Sequence, residues 1–249
     1  MAKQSSFIKI EGTLEGLTFF KSQDGFLVRN KGGVAKGRIE NDPAYVRTRE
    51  NNSEFGHVAT VGKRIRMAAS SMISNAKDSR LTSKLHKVLS EIKNLDSTSV
   101  RGKRQVSLGM ATAEGKLLLT GFNLNSRAVL SSILRQAYEL TPADGEITIA
   151  DFVPQQMLLS PSNSTHVSLS TAFTRVDLDT GEYETSFSNV VNLPLNMTAG
   201  TVVLTPASVP SLVGTSLHFL LIEFFQETNG VQYPLNSGAF NPLSLVGVF

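Results

Sequence analysis

From Phe7 to Arg29 short apolar runs alternate with glycine turns. Phe7-Ile8-Lys9-Ile10, Leu17-Thr18-Phe19-Phe20 and Phe26-Leu27-Val28 are separated by Gly12, Gly16 and the pair Asp24-Gly25. Asp-Gly between apolar segments signals a hairpin, because both turn positions tolerate positive φ. The pattern predicts a small β-meander over residues 7–29. A flexible linker over residues 30–52, opening Asn30-Lys31-Gly32-Gly33, is expected to follow.

From Ser53 to Ala76 the period changes. Phe55, Val58, Gly62, Ile65, Ala69, Met72, Ile73 and Ala76 recur at steps of three and four, the spacing of one helical face. Ser53 is the expected N-cap. A second helix is predicted from about Arg80 to Lys93, with Leu81, Leu85, Val88, Leu89 and Ile92 on its apolar side and Ser79 or Asp78 as cap. Gly56, Ala59, Gly62, Ala68 and Ala69 keep the first helix thin, so another backbone can approach it. An antiparallel helix pair over 53–93 is the expectation, held by its apolar seam.

Beyond Arg104 eight of the nine prolines appear, and runs of Val, Ile, Thr and Phe alternate with polar turns. Strands are predicted over residues 146–153, 166–176, 185–193, 201–204, 217–225 and 243–249, with one helix near 126–138. Short strands at regular spacing indicate an antiparallel β-sandwich over 105–249. The fold class is therefore α+β, with a meander and a helix pair preceding a sandwich. Such an architecture brings exposed edge strands, which pair with other chains unless covered.

Charge divides the chain the same way. Up to Arg104 there are 20 Lys/Arg against 10 Asp/Glu, and afterwards 4 against 11. The overall charge of +3 conceals this basic-to-acidic split. After Arg175 there is no Lys or Arg, and Val231 to Phe249 carries no charged side chain. Complementary ends favour self-association or an anionic partner. Cysteine is absent, which excludes disulfides, thiolate nucleophiles and Cys-ligated metals. The N-terminus lacks the apolar stretch of a signal peptide, so a cytoplasmic location is expected. No run reaches the ~20 apolar residues a bilayer span needs.

Candidate chemistry is thin. Gly56 to Arg64 reads GHVATVGKR, one residue too long for a phosphate loop and with Arg64 where the hydroxyl would stand. Asn30 to Gly33 is compatible with an anion nest but also with a plain turn. Four carboxylates surround Gly181 between Asp177 and Glu184, but the spacing is not that of a calcium loop and suits a hairpin. His57, His86, His166 and His218 form no paired motif, and no nucleophile elbow occurs. No cofactor, metal or small-molecule substrate is expected, and the protein is not expected to be an enzyme.

The segments IKIEGTLEGLTFFKSQDGFLVRNKGGV, NDPAYVRTRENNSEFG, RGKRQV, GFNLNSRA and ADFVP…LSPSNSTHVSL together resemble a group of uncharacterised bacterial proteins of about this length. That group shares a Gly-punctuated basic N-terminal block and a β-rich C-terminal half. It carries no assigned activity, so the resemblance implies a layout and supplies no catalytic residue.

The expectation is a structural protein that polymerises head-to-tail into a filament, tubule or phage-tail-like assembly. An N-terminal arm (Phe7, Ile8, Ile10, Leu17, Phe19, Phe20, Phe26, Val28) is expected to add to a neighbour's sheet edge. A basic face (Arg47, Arg49, Lys63, Arg64, Arg66, Arg80, Lys84, Lys87) would meet an acidic neighbour, and the C-terminal strand (Leu243, Leu245, Val246, Val248, Phe249) would join the contact. The principal alternative is nucleic-acid binding through the basic helices, against which stands the absence of aromatic residues among the charges from Lys63 to Arg104. An adhesin-like module, a further alternative, would require export.

Overall fold

The structure, a computed structural model, describes residues 2–249, the side chains of Asn236 and Ser237 excepted. It mixes helix with curled antiparallel sheets, as an α+β chain should. Two compact units divide between Arg49 and Glu50, whereas the composition changes at Arg104. The helices between those two points share a core with the strands that follow, which is why compactness does not follow charge.

In the first unit β1 (Ala2–Lys3), β2 (Gly12–Leu14), β3 (Leu17–Ser22) and β4 (Gly25–Asn30) form an antiparallel sheet in the order β1-β4-β3-β2. The β3–β4 hairpin is present, but its turn is Gln23-Asp24, one residue earlier than the expected Asp24-Gly25 pair, and Gly25, at φ +104°, opens β4 opposite Ser22. The first meander strand is displaced, however. Phe7–Ile10 is a loop, because Gln4 takes up its backbone: Nε2 donates to the Ile10 and Leu27 carbonyls at 3.1 and 3.2 Å, and Oε1 accepts from Ile10 N at 2.9 Å. The expected linker is also partly helical, with α1 at Lys36–Asn41 and a 3-10 turn at Pro43–Tyr45.

The second unit opens with α2 (Val46–Ala68, which begins before the division), α3 (Ser70–Asn75) and α4 (Leu81–Asn94). Ser53 lies inside α2 and caps nothing. The single helix expected to Ala76 is interrupted at Ala69, where the Thr185 hydroxyl donates to the Ala68 carbonyl at 3.2 Å. Two short helices follow that the sequence pattern does not predict, α5 (Val106–Met110) and α6 (Ala113–Leu119). Their glycines make close backbone approaches: a Cβ on Gly109 would stand 2.0 Å from the Ile92 carbonyl oxygen, and one on Gly115 2.1 Å from that of Gly109. Gly62 of α2, expected to play this part, only touches Leu89 and Leu85 at ordinary distances.

The helix expected over 126–138 shrinks to α7 (Leu130–Ile133). Leu134 turns extended to bridge Leu158, and Arg135 N donates to the Met157 carbonyl. Then come β5 (Glu139–Leu140), β6 (Ile147–Phe152), α8 (Pro154–Met157), β7 (His166–Val176), β8 (Tyr183–Phe187), β9 (Val191–Pro194), β10 (Gly200–Leu204), β11 (Thr215–Thr228), β12 (Val231–Pro234) and β13 (Leu243–Val248). The one strand expected over 185–193 is two, β8 and β9, both paired to β7.

Six strands form the main sheet, β12-β11-β7-β8 with β13 also on β11 and β9 also on β7; β10-β6-β5 form a smaller one. Alternation along β11 divides its side chains between two cores. Leu217, Phe219 and Leu221 pack with Ile65, Leu85, Leu89 and Ile92 of α2 and α4. Leu220, Ile222 and Phe224 pack with Ile147, Ile149 and Phe152 of β6 and with Val202 and Leu204 of β10.

His218 on β11 is fully buried, and neither ring nitrogen meets a hydrogen-bond partner among the described residues. Its ring stacks on Phe173 at 4.3 Å and meets the edge of Phe249 at 5.5 Å. Burial, opposed by Asp144 and reinforced by Arg175, lowers its pKa from 6.5 to about 4. The unfolded chain therefore takes up this proton at higher pH than the folded one, and stability falls as pH drops from 6.5 towards 4. The loss amounts to roughly 3 kcal/mol. Denaturant midpoints measured from neutral to mildly acid pH should lose this component in His218→Leu; an unchanged slope would contradict the assignment.

Candidate functional site

Within the first unit the β-register sorts side chains by face. Directly paired residues share a face, so Leu14, Leu17, Phe19, Phe26 and Val28 lie together, with Lys21 over the Phe26 ring at 5.5 Å. Phe20 and Leu27 occupy the opposite face, where Arg29 covers the Phe20 ring at 5.3 Å. Among the described residues of this unit only Leu27 is buried. Phe19, Phe20, Phe26 and Val28 are half-buried.

The apolar loop is more exposed still. Every residue from Ser5 to Leu17 is exposed, including Phe7 at 94%, Ile8 at 61%, Leu14 at 63%, Ile10 at 47% and Leu17 at 40%. The loop is nonetheless ordered by the Gln4 bonds, with Lys9 Nζ adding a 2.6 Å bond to the Gln4 carbonyl. Together these side chains form an exposed apolar surface on an ordered backbone. Covering each contributes about 1.5–3 kcal/mol. Leu14 belongs to this surface although the strand pattern does not single it out; its register opposite Leu17 is what places it there.

The cations expected on one face fall in both units. Arg49 Nη1 donates to the Ile39 and Asp42 carbonyls at 2.8 and 3.0 Å, and Arg47 is exposed. In the second unit Arg64 donates to the Leu178 carbonyl, Arg66 to the Gly62 carbonyl, and Lys84 pairs with Asp78 at 3.7 Å. Lys63, Arg80 and Lys87 are exposed. Much of this charge is thus engaged in holding the subunit together.

The C-terminal strand is also internal. Leu243, Leu245 and Val248 are buried, Val246 is half-buried, and β13 lies against β11. Its outer edge is taken by residues 121–124: Gly121 N donates to the Leu245 carbonyl, Leu245 N to that of Phe122, and Leu124 N to that of Leu243. Of the five expected contact residues Phe249 is the exposed one, at 46%. An apolar uncharged run is what a core strand requires, and the core claims it.

A cleft of about 690 Å³ lies in the second unit and is lined by Glu54, His57, Arg64, Lys103, Arg104 and Asp179 among others. Several of its polar groups are committed to structure. Glu54 receives Arg104 Nε and Nη2 at 2.8 and 2.9 Å, Gly102 N at 2.8 Å, and the buried Lys93 ammonium. The Arg104 bond, with help from Lys93 and Gly102 and against burial, lowers the Glu54 pKa from 4.5 to about 2. Asp96 accepts from the amides of Thr98, Ser99 and Gln105 and so closes the loop between α4 and α5. His57 Nε2 accepts from Val106 N at 3.0 Å, and burial lowers its pKa. A carboxylate ionised far below neutrality and an imidazole whose accepting nitrogen is occupied are poorly matched to proton transfer near pH 7.

Asp177 to Glu182 is the turn of the β7–β8 hairpin, with Glu184 paired in β8 and Asp177 Oδ1 accepting from the Asp179 and Thr180 amides. Among the described residues no group of three or more His, Asp or Glu could hold a metal ion, and no helix is long and apolar enough to cross a membrane. Comparison with protein-family models, with curated proteins and with solved structures returned no match.

Removing one partner of a buried ion network leaves the others uncompensated. Glu54→Gln should therefore cost roughly 3–5 kcal/mol in chemical denaturation. The contribution of Glu54 is complete above pH 4.5 and fades as pH falls towards 2. A change below about 1 kcal/mol would show that the network does not hold α2 to the α4–α5 loop.

Proposed function

We propose that this is a non-enzymatic structural protein whose copies assemble head-to-tail into a filament, tubule or phage-tail-like polymer, the N-terminal unit of one copy docking on the body of the next. The observation that carries this reading is the exposed run from Ser5 to Leu17, fixed by Gln4 and rich in Phe, Ile and Leu, in a unit with Leu27 as its one buried side chain among those described. Forty-nine residues with so little core gain their stability from a covering surface. The charge split supports a neighbour as that surface: a basic front and an acidic rear repeat along a polymer, and contact between unlike surfaces does not close on itself unless its rotation permits.

On this reading β2, at the edge of its sheet, offers backbone groups to the neighbour. The second unit serves as an antiparallel sandwich body bearing an antiparallel α2–α4 pair. Assembly takes place in the cytoplasm. A nucleic-acid role is the second reading, supported by exposed Lys63, Arg80 and Lys87 on α2 and α4 and the intervening turn.

Deleting residues 1–40 should leave a folded subunit that no longer forms particles in light scattering. Particles of full size from the truncated chain would refute the arm mechanism. Affinity for DNA or RNA that falls steeply with added salt would support the second reading instead, and no binding at low salt would remove it.

A further inference from the structure

A groove of about 440 Å³ lies beside the β7–β8 turn in the second unit, and its lining differs from that of the charged cleft. Met110 of α5, Val176 at the end of β7 and Leu178 form an apolar floor. Val213, 89% exposed, and Phe249, 46% exposed, stand at its sides. No other large apolar side chain of the second unit is as exposed as Val213 among the described residues.

The groove walls are rigid for identifiable reasons. Gly214 lies so close to β7 that a Cβ there would stand 2.5 Å from the Val176 carbonyl oxygen. The β7–β8 turn is held down by Arg64, which donates to the Leu178 carbonyl and packs under Gly181. Asp177 orders the turn from within through the Asp179 and Thr180 amides. Such a groove is present before any partner arrives, so little ordering cost remains at binding.

Its charge identifies the occupant. Asp177 and Asp179 line the groove, and Glu182 and Glu184 follow within the same hairpin. Lys116 is the one cation in its lining, and Arg64 lies close to the turn. The N-terminal unit carries nine Lys/Arg against five Asp/Glu up to Arg49 and presents Phe7 and Ile8 directly before Lys9. Apolar side chains flanked by a cation match an apolar floor rimmed by carboxylates.

We propose that the groove between α5, the end of β7 and Val213 is the receptor for the Phe7–Ile10 loop of a second copy of this chain. This rests on the assembly reading above and specifies where the arm lands. Phe7 and Ile8 enter the apolar floor, and Lys9 and Lys3 face Asp179 and its neighbours. Each copy presents one loop and one groove, on different units, so a single contact leaves one loop and one groove free in the pair, and further copies add through them unless the rotation closes a ring.

The test uses full-length chains and sedimentation over a range of concentration at low salt. Phe7→Asp in the arm and Val213→Arg in the groove are both surface changes that leave the subunit folded, which circular dichroism checks. Each should weaken association about tenfold or more, the size of a buried anchor residue. Lys9→Glu and Asp179→Lys should each weaken it, and together recover part of the loss.

If Phe7→Asp abolishes assembly while Val213→Arg and Asp179→Lys associate as the unaltered chain does, the groove assignment is wrong and the assembly reading stands. If the unaltered chain stays a single protomer at all concentrations, the assembly reading fails and the groove assignment with it. Should that protomer instead pellet with anionic vesicles through Phe7, the occupant of the arm is a lipid surface and this assignment is overturned.

Discussion

Strand β11 can exist in water only because both of its faces are covered. Along Thr215–Thr228 successive side chains point to opposite sides, and from Leu217 to Phe224 nearly all are apolar. One face is covered by the helices and the other by β6 and β10. The strand also pairs with β7 over Thr215–Phe225 and with β13 over Leu217–Leu221. The surrounding elements owe their positions to this demand. β13 fills the open side, residues 121–124 cover β13 in turn, and α4 with α5 and α6 pack closely enough that only glycine fits at Gly109 and Gly115. His218 is the fully buried polar residue within that run, a ring kept neutral by the burial that its neighbours impose.

The first unit obeys the opposite condition. Its sheet has four short strands and apolar side chains on both faces, yet Leu27 is the one buried residue described. The chain thus buries β11 thoroughly in its second unit while leaving Phe7, Ile8 and Leu14 of the first in solvent. The hydrophobic effect acts on both alike. In the second unit it is satisfied within the chain, and in the first it leaves Phe7, Ile8 and Leu14 exposed.

Much of the body was legible in the sequence because its strands are bounded by Pro, Gly and Asn and rich in β-branched residues, as at His166–Val176 and Thr215–Thr228. The helical faces of α2 and α4 were legible from their period. Tertiary contacts erased other signals: Leu134 leaves its helix to bridge Leu158, and Thr185 helps interrupt the helix at Ala68. α5 and α6 escaped notice because Gly109 and Gly115 disfavour helix until packing demands them. Alternation in Phe7-Ile8-Lys9-Ile10 reads as a strand, and only Gln4 makes it a loop. Glu54, Lys93 and Arg104 are 39 and 50 residues apart, so no spacing rule could join them. The apolar Leu243–Val248 run was legible as a strand, but whether such a strand faces a neighbour or the core depends on what the fold leaves uncovered.

Amide hydrogen exchange of the intact chain, dilute and then at concentrations where copies meet, bears most directly on whether a neighbour covers the arm. The account predicts that residues 5–17 exchange quickly in the dilute sample and become protected on association, together with the segment around Val213. Association that leaves 5–17 exchanging as freely as before would contradict it.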